Sequence, residues 1–274
     1  MADEWLTPIA DEPNVSRLDR GVPHIARVYD YCLGGKDNFA ADREAAEEFV
    51  KVMPGIIPTV RECRKFLARA VSFLAADCGI RQFLDIGTGL PTADNTHEVA
   101  QRTEPSCKIV YVDYDPMVLA HARALLTSSA EGETAYIDAD LRNVPTILEK
   151  ASSTLDFSQP VALMLLGILH CIPDSDDPYG IVRRLLDALA PGSYLVIGHP
   201  ASDVETEAAS RATSGLNTAL AEPVTFRPRE RVEAFFDGLD ILPPGLVQYQ
   251  QWRPDEAEPY PGQTSAWCAV ARKS

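Results

Sequence analysis

The sequence predicts an α/β fold built on a mostly parallel sheet with helices on both faces. Three observations carry this expectation. The apolar run 82–86 carries an acid, Asp85, and leads into Gly87-Thr88-Gly89. Strand-like and helix-like patterns then alternate up to residue 198, which is how a parallel sheet is built. The stretch Val161-Ala162-Leu163-Met164-Leu165-Leu166 is apolar throughout, as a central strand buried on both faces must be.

A polar, proline-bearing arm opens the chain over residues 1–20. The segment from Ile25 to Leu33 reads as a helix that stops at Gly34-Gly35, a pair suited to a left-handed helix terminus. A second helix is expected from Ala40 to Val52, before Pro54-Gly55. A third is expected over 59–77, where Val60, Cys63, Leu67, Ala70, Val71 and Leu74 recur at helical steps. Strands are predicted near 82–86, 108–113, 133–137, 160–166 and 193–198. Helices are predicted near 92–103, 116–127, 143–151 and 178–190. Asp115-Pro116 supplies a cap and a first-turn proline. A polar helical insert follows at about 203–220, then a helix over 227–236. Strand-like runs at 245–252 and 265–270 close the chain, the last expected to enter the sheet antiparallel. In domain terms, residues 1–78 form an arm and helical lid region packed on a core of 79–274. That core carries an insert at about 203–226, and the whole is one compact unit.

Composition narrows the partners. The 274 residues hold 46% hydrophobic residues, enough for a sizeable core. The net charge of −15, from 25 basic and 40 acidic residues, disfavours phosphate backbones and anionic membranes. No apolar run reaches membrane-spanning length. The expectation is a cytoplasmic protein with a small-molecule substrate and neither a nucleic-acid nor a membrane partner. Its oligomeric state is open, with a homodimer possible. Six scattered cysteines read as reduced thiols. The five histidines show no metal-ligand spacing, so no metal site is expected.

The glycine turn could serve two ligand classes. A dinucleotide site uses a third glycine, but Thr92 stands there. Asp85 at the strand end opposes an anionic pyrophosphate and suits a ligand with ammonium and sulfonium charge, such as S-adenosylmethionine. Asp113, ending the second strand, suits ribose hydroxyls in either class. After the third strand, Asp140 is favoured over Asp138 for an adenine amine, with Leu141 beside the ring.

These residues resemble class I S-adenosylmethionine-dependent methyltransferases. More narrowly, the chain is similar to the bacterial S-adenosyl methyltransferase family, formerly a domain of unknown function. The likeness runs from about Val22 to Ala271. It rests on Ala26-Arg27-Val28-Tyr29-Asp30-Tyr31 with Leu33-Gly34-Gly35-Lys36-Asp37-Asn38-Phe39, on Leu84 to Thr92, on Tyr111 to Pro116, on Asp138 to Arg142, and on Leu166-Gly167-Ile168-Leu169-His170. The resemblance implies a Rossmann-like sheet of seven strands with the last antiparallel, under an N-terminal helical lid. It implies cofactor contacts at Asp85, Gly87, Gly89, Asp113, Tyr114 and Asp140, with Gly167 and Leu169 near the methionine end. It places Tyr29, Gly34, Lys36 and Asn38 over the cofactor. No acceptor is established for the family.

A catalytic side chain is not required when positioning supplies much of the rate. If the acceptor is a hydroxyl, His170 and His199 are weak candidates for a base, and better candidates for pocket residues. The Asn/Asp-Pro-Pro-aromatic motif of many amine methylases is missing after the fourth strand, which again favours a small acceptor. Phe226, Phe39 and Tyr31 are candidate apolar lining. The alternative function is a non-catalytic S-adenosylmethionine-binding regulator.

Overall fold

The computed structural model describes residues 19–125, 128–255 and 259–274. Most of the predicted arm, and the end of the helix expected over 116–127, fall outside them. Seven strands form one sheet in the order β3-β2-β1-β4-β5-β7-β6. Their ranges are β1 Gln82–Ile86, β2 Lys108–Asp113, β3 Glu133–Asp138, β4 Ala162–Leu166, β5 Tyr194–Pro200, β6 Asp240–Ile241 and β7 Ala266–Arg272. The first five are parallel, and β7 runs antiparallel to both β5 and β6. The order reverses between β1 and β4, so their carboxyl ends diverge around a crevice.

Alternation along each strand sorts the core into two layers. Leu84, Val110, Leu163 and Leu195 face one layer with the helices α6 (Val144–Ala151) and α7 (Pro178–Asp187). Phe83, Ile109, Met164 and Val196 face the other, under α3 (Ile56–Ala76) and α4 (Thr96–Thr103). The apolar stripe of α3 covers the sheet, with Phe66, Ala70, Val71 and Leu74 fully buried, while its start reaches the roof.

A third apolar cluster sits above the crevice. It joins α1 (Ile25–Leu33), α2 (Ala40–Val52), the start of α3 and the insert helix α8 (Thr206–Ala219). A buried ion pair fixes α1 to α2. The Arg27 Nε donates to both Asp42 oxygens at 3.0 and 2.9 Å. Asp42 also accepts from the backbone N–H groups of His24 and Phe39.

Three elements depart from expectation. Residues 245–252 do not form a strand. Only Val247 bridges Cys268, and a 3-10 turn at Tyr249–Gln251 then drops Tyr249 and Trp252 onto Phe66. Arg69 holds this turn by donating to the carbonyls of Tyr249 and Trp252 at 2.7 and 3.0 Å. The edge strand is the two-residue β6. The helix predicted from residue 92 begins at Thr96, because the Asn95 N–H pairs with the Glu98 carboxylate at 2.7 Å and starts the helix there. The helix predicted over 227–236 is the short α9 (Arg229–Glu233) followed by a 3-10 turn at Ala234–Phe236. The helix α5 (Pro116–Leu125) begins as expected, with Asp115 accepting from the Met117 N–H.

Removing Asp42 would take the close partner from the buried Arg27 guanidinium and leave it only the Asp115 carboxylate, 3.8 Å from Nη1. Asp42→Ala is expected to destabilise the protein by about 3–5 kcal/mol in urea unfolding. A loss below about 1 kcal/mol would show that the pair is not what seats α1 and α2.

Candidate active site

The crevice between β1 and β4 opens into a cavity of about 150 Å³, roofed by α1, α2, the start of α3 and α8. On the sheet side it is bounded by the turn after β1. Gly87 sits at φ +76°, and its N–H donates to the Val112 carbonyl at 2.8 Å. A Cβ on Gly87 would meet the Ile168 side chain at 2.5 Å, so only glycine lets the two loops approach. Gly89, at φ +64°, has open space where its Cβ would be. Its N–H donates to an oxygen of Asp113 at 3.0 Å, and the Asp115 N–H donates to the other at 3.0 Å. Each oxygen keeps a further lone pair free. Burial outweighs these bonds and raises the Asp113 pKa.

Asp85 is the electrostatic centre of the crevice. It is buried, lines the cavity, and accepts from the Thr96 hydroxyl at 2.6 Å. Among the described residues, no basic side chain forms an ion pair with it. Desolvation pushes its pKa up to about 6, against smaller opposing effects from the Thr96 hydrogen bond and the Arg64 charge. Arg64, on α3, lines the same cavity. Its Nη2 donates to the carbonyls of Ala93 and Asp94, while its Nε has no hydrogen-bond partner. No local motif marks Arg64, which lies on the helix assigned by sequence to the lid region.

Tyr114 and His24 stand at the rim, with the Tyr114 hydroxyl 3.5 Å from His24 Nε2 and His24 Nδ1 3.1 Å from Asp115. Burial raises the Tyr114 pKa. Gly167, at φ +69°, follows β4 and leads into the 3-10 turn Leu169–Cys171. His170 lines the cavity and is buried, and its Nδ1 has no partner. Burial, aided by the Arg227 charge, lowers its pKa to about 4, so the ring is neutral at neutral pH. His199 is fully buried behind this turn. Its Nδ1 lies 2.9 Å from the Pro200 carbonyl, so that nitrogen carries the proton and Nε2 accepts from Arg227 at 2.9 Å. Burial drives its pKa far down, and its lone pair is already spent. Arg227 also donates to the carbonyls of Leu169 and Ile172 and to Asp174, which locks the turn that carries His170.

Of the residues singled out from sequence, Tyr29, Asp85, Gly87, Gly89, Asp113, Tyr114, Gly167, His170 and Phe226 converge on the cavity. Others do not line it. Gly34 is the left-handed cap of α1. Gly35 packs so tightly on Asp30 that a Cβ would collide with its carboxylate. Asn38 donates to Asp30 at 2.8 Å, and Lys36 is exposed on this folded cap. The polar motif thus closes a helix end rather than facing the crevice. Asp140 is occupied by the N–H and guanidinium of Arg142, at 2.7 and 2.9 Å. Leu141 and Leu169 are buried in the core layer under α6 and α7. Phe39 lies beneath the guanidinium groups of Arg20 and Arg27, and the Tyr31 hydroxyl reaches Glu47.

The chain matches the family described as S-adenosyl methyltransferase over residues 11–274. It belongs to that family. A DUF574 protein from Streptomyces avermitilis is 41% identical, with a TM-score of 0.91, covering 94% of this chain and 100% of its own. A candidate methyltransferase from Thermobifida fusca is 42% identical, with a TM-score of 0.86 and coverage of 93% and 97%. No curated protein matches. The chain is therefore an S-adenosylmethionine-dependent methyltransferase.

The residues present fit that cofactor. A buried carboxylate with no paired cation accepts a cationic ligand and repels a pyrophosphate. The two glycines keep the approach to it open. Among the described residues, no group of His, Cys, Asp and Glu could hold a metal ion, and no helix is long and apolar enough to cross a membrane.

Two stability experiments follow. Gly87→Ala combines left-handed backbone with the Ile168 contact, and is expected to cost more than the roughly 1–2 kcal/mol of the conformation alone. Gly89→Ala should cost about that conformational amount and no more. Equal losses in urea unfolding would contradict the close approach at Gly87. The raised pKa of Asp85 means that the folded state keeps a proton which the unfolded chain has lost. Its cost is absent below about pH 4 and complete above about pH 6, so stability falls as pH rises through that window. Asp85→Asn should stabilise the ligand-free protein by roughly 1–3 kcal/mol at neutral pH and flatten that slope. Destabilisation by Asp85→Asn would show that the carboxylate is satisfied in the fold.

Proposed function

We propose that this methyltransferase binds its cofactor across the β1 and β2 strand ends and transfers the methyl group to a small molecule held beneath α1, α2 and α8. The observation that carries the assignment is the Asp85 carboxylate, buried and without a counter-charge beside the glycine turn. Bound S-adenosylmethionine supplies an electrophilic methyl group on a sulfonium centre. Asp85 would receive the ammonium group, and the unpaired Nε of Arg64 is suited to the carboxylate. The free lone pairs of Asp113 would take the ribose hydroxyls, and Gly87, Gly89 and Gly167 leave room for close approach. Tyr29 and Tyr114 would border the ligand from the roof and the rim.

Of the two histidines at the ends of β4 and β5, His170 is the one that lines the cavity. Its neutral ring can hold a hydroxyl proton, while His199 acts through Arg227 to fix the loop. The acidic charge and the helical roof over the cavity both favour a small acceptor over a nucleic acid. Six unpaired cysteines fit a reducing, cytoplasmic setting.

Calorimetry with S-adenosylhomocysteine tests the site. Asp113→Ala should weaken binding by about 1–3 kcal/mol, or about 5- to 150-fold, while far-UV circular dichroism stays unchanged. Unchanged affinity would remove Asp113 from the ribose site.

A further inference from the structure

Outside the charged crevice, the cavity continues into a chamber walled by Val28, Cys32, Phe49, Met53, Leu216 and Phe226. All six belong to or pack on the third apolar cluster, whose helices come from the N-terminal segment and from the insert, not from the sheet layers. We propose that this chamber selects a neutral, largely apolar ring compound as methyl acceptor and rejects ionised acids and protonated amines. The inference rests on the cavity reading given above and adds the chemical class of the acceptor.

Polar groups around the chamber are already committed. The Tyr29 hydroxyl donates to the Val60 carbonyl at 3.3 Å. The Thr59 hydroxyl donates to the Gly55 carbonyl at 2.7 Å and accepts from the Ser265 N–H at 3.0 Å. The Ser265 hydroxyl donates to Glu205. Burial raises the pKa of Cys32 to about 11 and that of Cys171 to about 12, so both thiols are uncharged at neutral pH. Among the described lining residues, the unpartnered buried polar atoms are Arg64 Nε, in the charged crevice, and His170 Nδ1, on the chamber side. The His170 ring stands edge-on to Phe226, with centroids 6.3 Å apart. None of the six chamber walls is charged, and Glu222, which acts on Tyr114 and Cys171, is itself half-exposed. A ligand charge placed here would therefore lose its water without a buried counter-charge, whereas one hydroxyl can meet His170. Rings can also pack on Phe226 and Phe49, themselves 6.5 Å apart.

The test uses three ligands of one shape: 2-naphthol, 2-naphthoate and 2-naphthylmethylammonium. Their binding is measured by calorimetry at neutral pH on the full chain saturated with S-adenosylhomocysteine. The naphthol should bind, with both charged forms at least about tenfold weaker, because each must be desolvated without a partner. Phe226→Ala should weaken naphthol binding about three- to tenfold and leave S-adenosylhomocysteine affinity unchanged. A charged form that binds as tightly as naphthol, binding of none of the three, or naphthol binding indifferent to Phe226→Ala would each overturn the proposal. If S-adenosylhomocysteine itself does not bind, the cofactor-site assignment fails. The same three ligands on the free protein then still read the chamber, with the same order expected.

Discussion

A carboxylate buried without a counter-ion is the constraint around which this molecule is arranged. Asp85 ends a central strand, where both sheet faces are covered and water is scarce. Its neighbours moderate the cost but do not cancel it: Thr96 donates one hydrogen bond and Arg64 contributes charge from a distance. Such a group costs the ligand-free protein stability. Its retention makes sense as a site held ready for a cation. The features around it serve the same end. Gly87 and Gly89 clear the approach, Asp113 is held in place by two backbone N–H groups, and the late start of α4 leaves a loop beside the turn.

Cofactor crevice and acceptor chamber are made from different parts of the chain. The crevice belongs to the strand ends. The chamber belongs to α1, α2 and α8, tied down by the Arg27–Asp42 pair and by the cap on Asp30. Buried charge therefore appears twice with opposite logic. In the roof it is fully paired and fixes geometry. In the crevice it is left unpaired, as the proposed cation site requires. His170 stands where the two spaces meet, on a turn locked from behind by Arg227.

Much of the fold was legible because it follows from local rules. Alternation and apolar runs located β1 and β2 to the residue, and Gly34 located the end of α1. The acids at 85 and 113 were legible because strand ends in a parallel sheet point to one edge. The polar density of the Gly34-to-Asn38 motif is compatible with a helix cap or with a cover over a ligand, and the Asp37 N–H and the Asn38 amide bond to Asp30 of the preceding helix. Asp140 bonds Arg142 two residues on and stands outside the lining of the cavity. Residues 245–252 alternate like a strand, but Arg69, 180 residues distant from Tyr249, captures their carbonyls. Arg64 and Arg227 carry no motif at all. Their roles come from tertiary placement, which no window of sequence contains.

The claim that Asp85 is held uncompensated for a cationic ligand can be measured at the atom itself. A carbon-detected NMR titration of its side-chain carboxyl, assigned by comparison with Asp85→Asn, reads its ionisation directly. In the free protein the midpoint should lie near 6, and saturation with S-adenosylhomocysteine should move it well down, because the ligand's ammonium favours the charged form. A midpoint already in the ordinary aspartate range, or one that does not move on binding, would contradict the account.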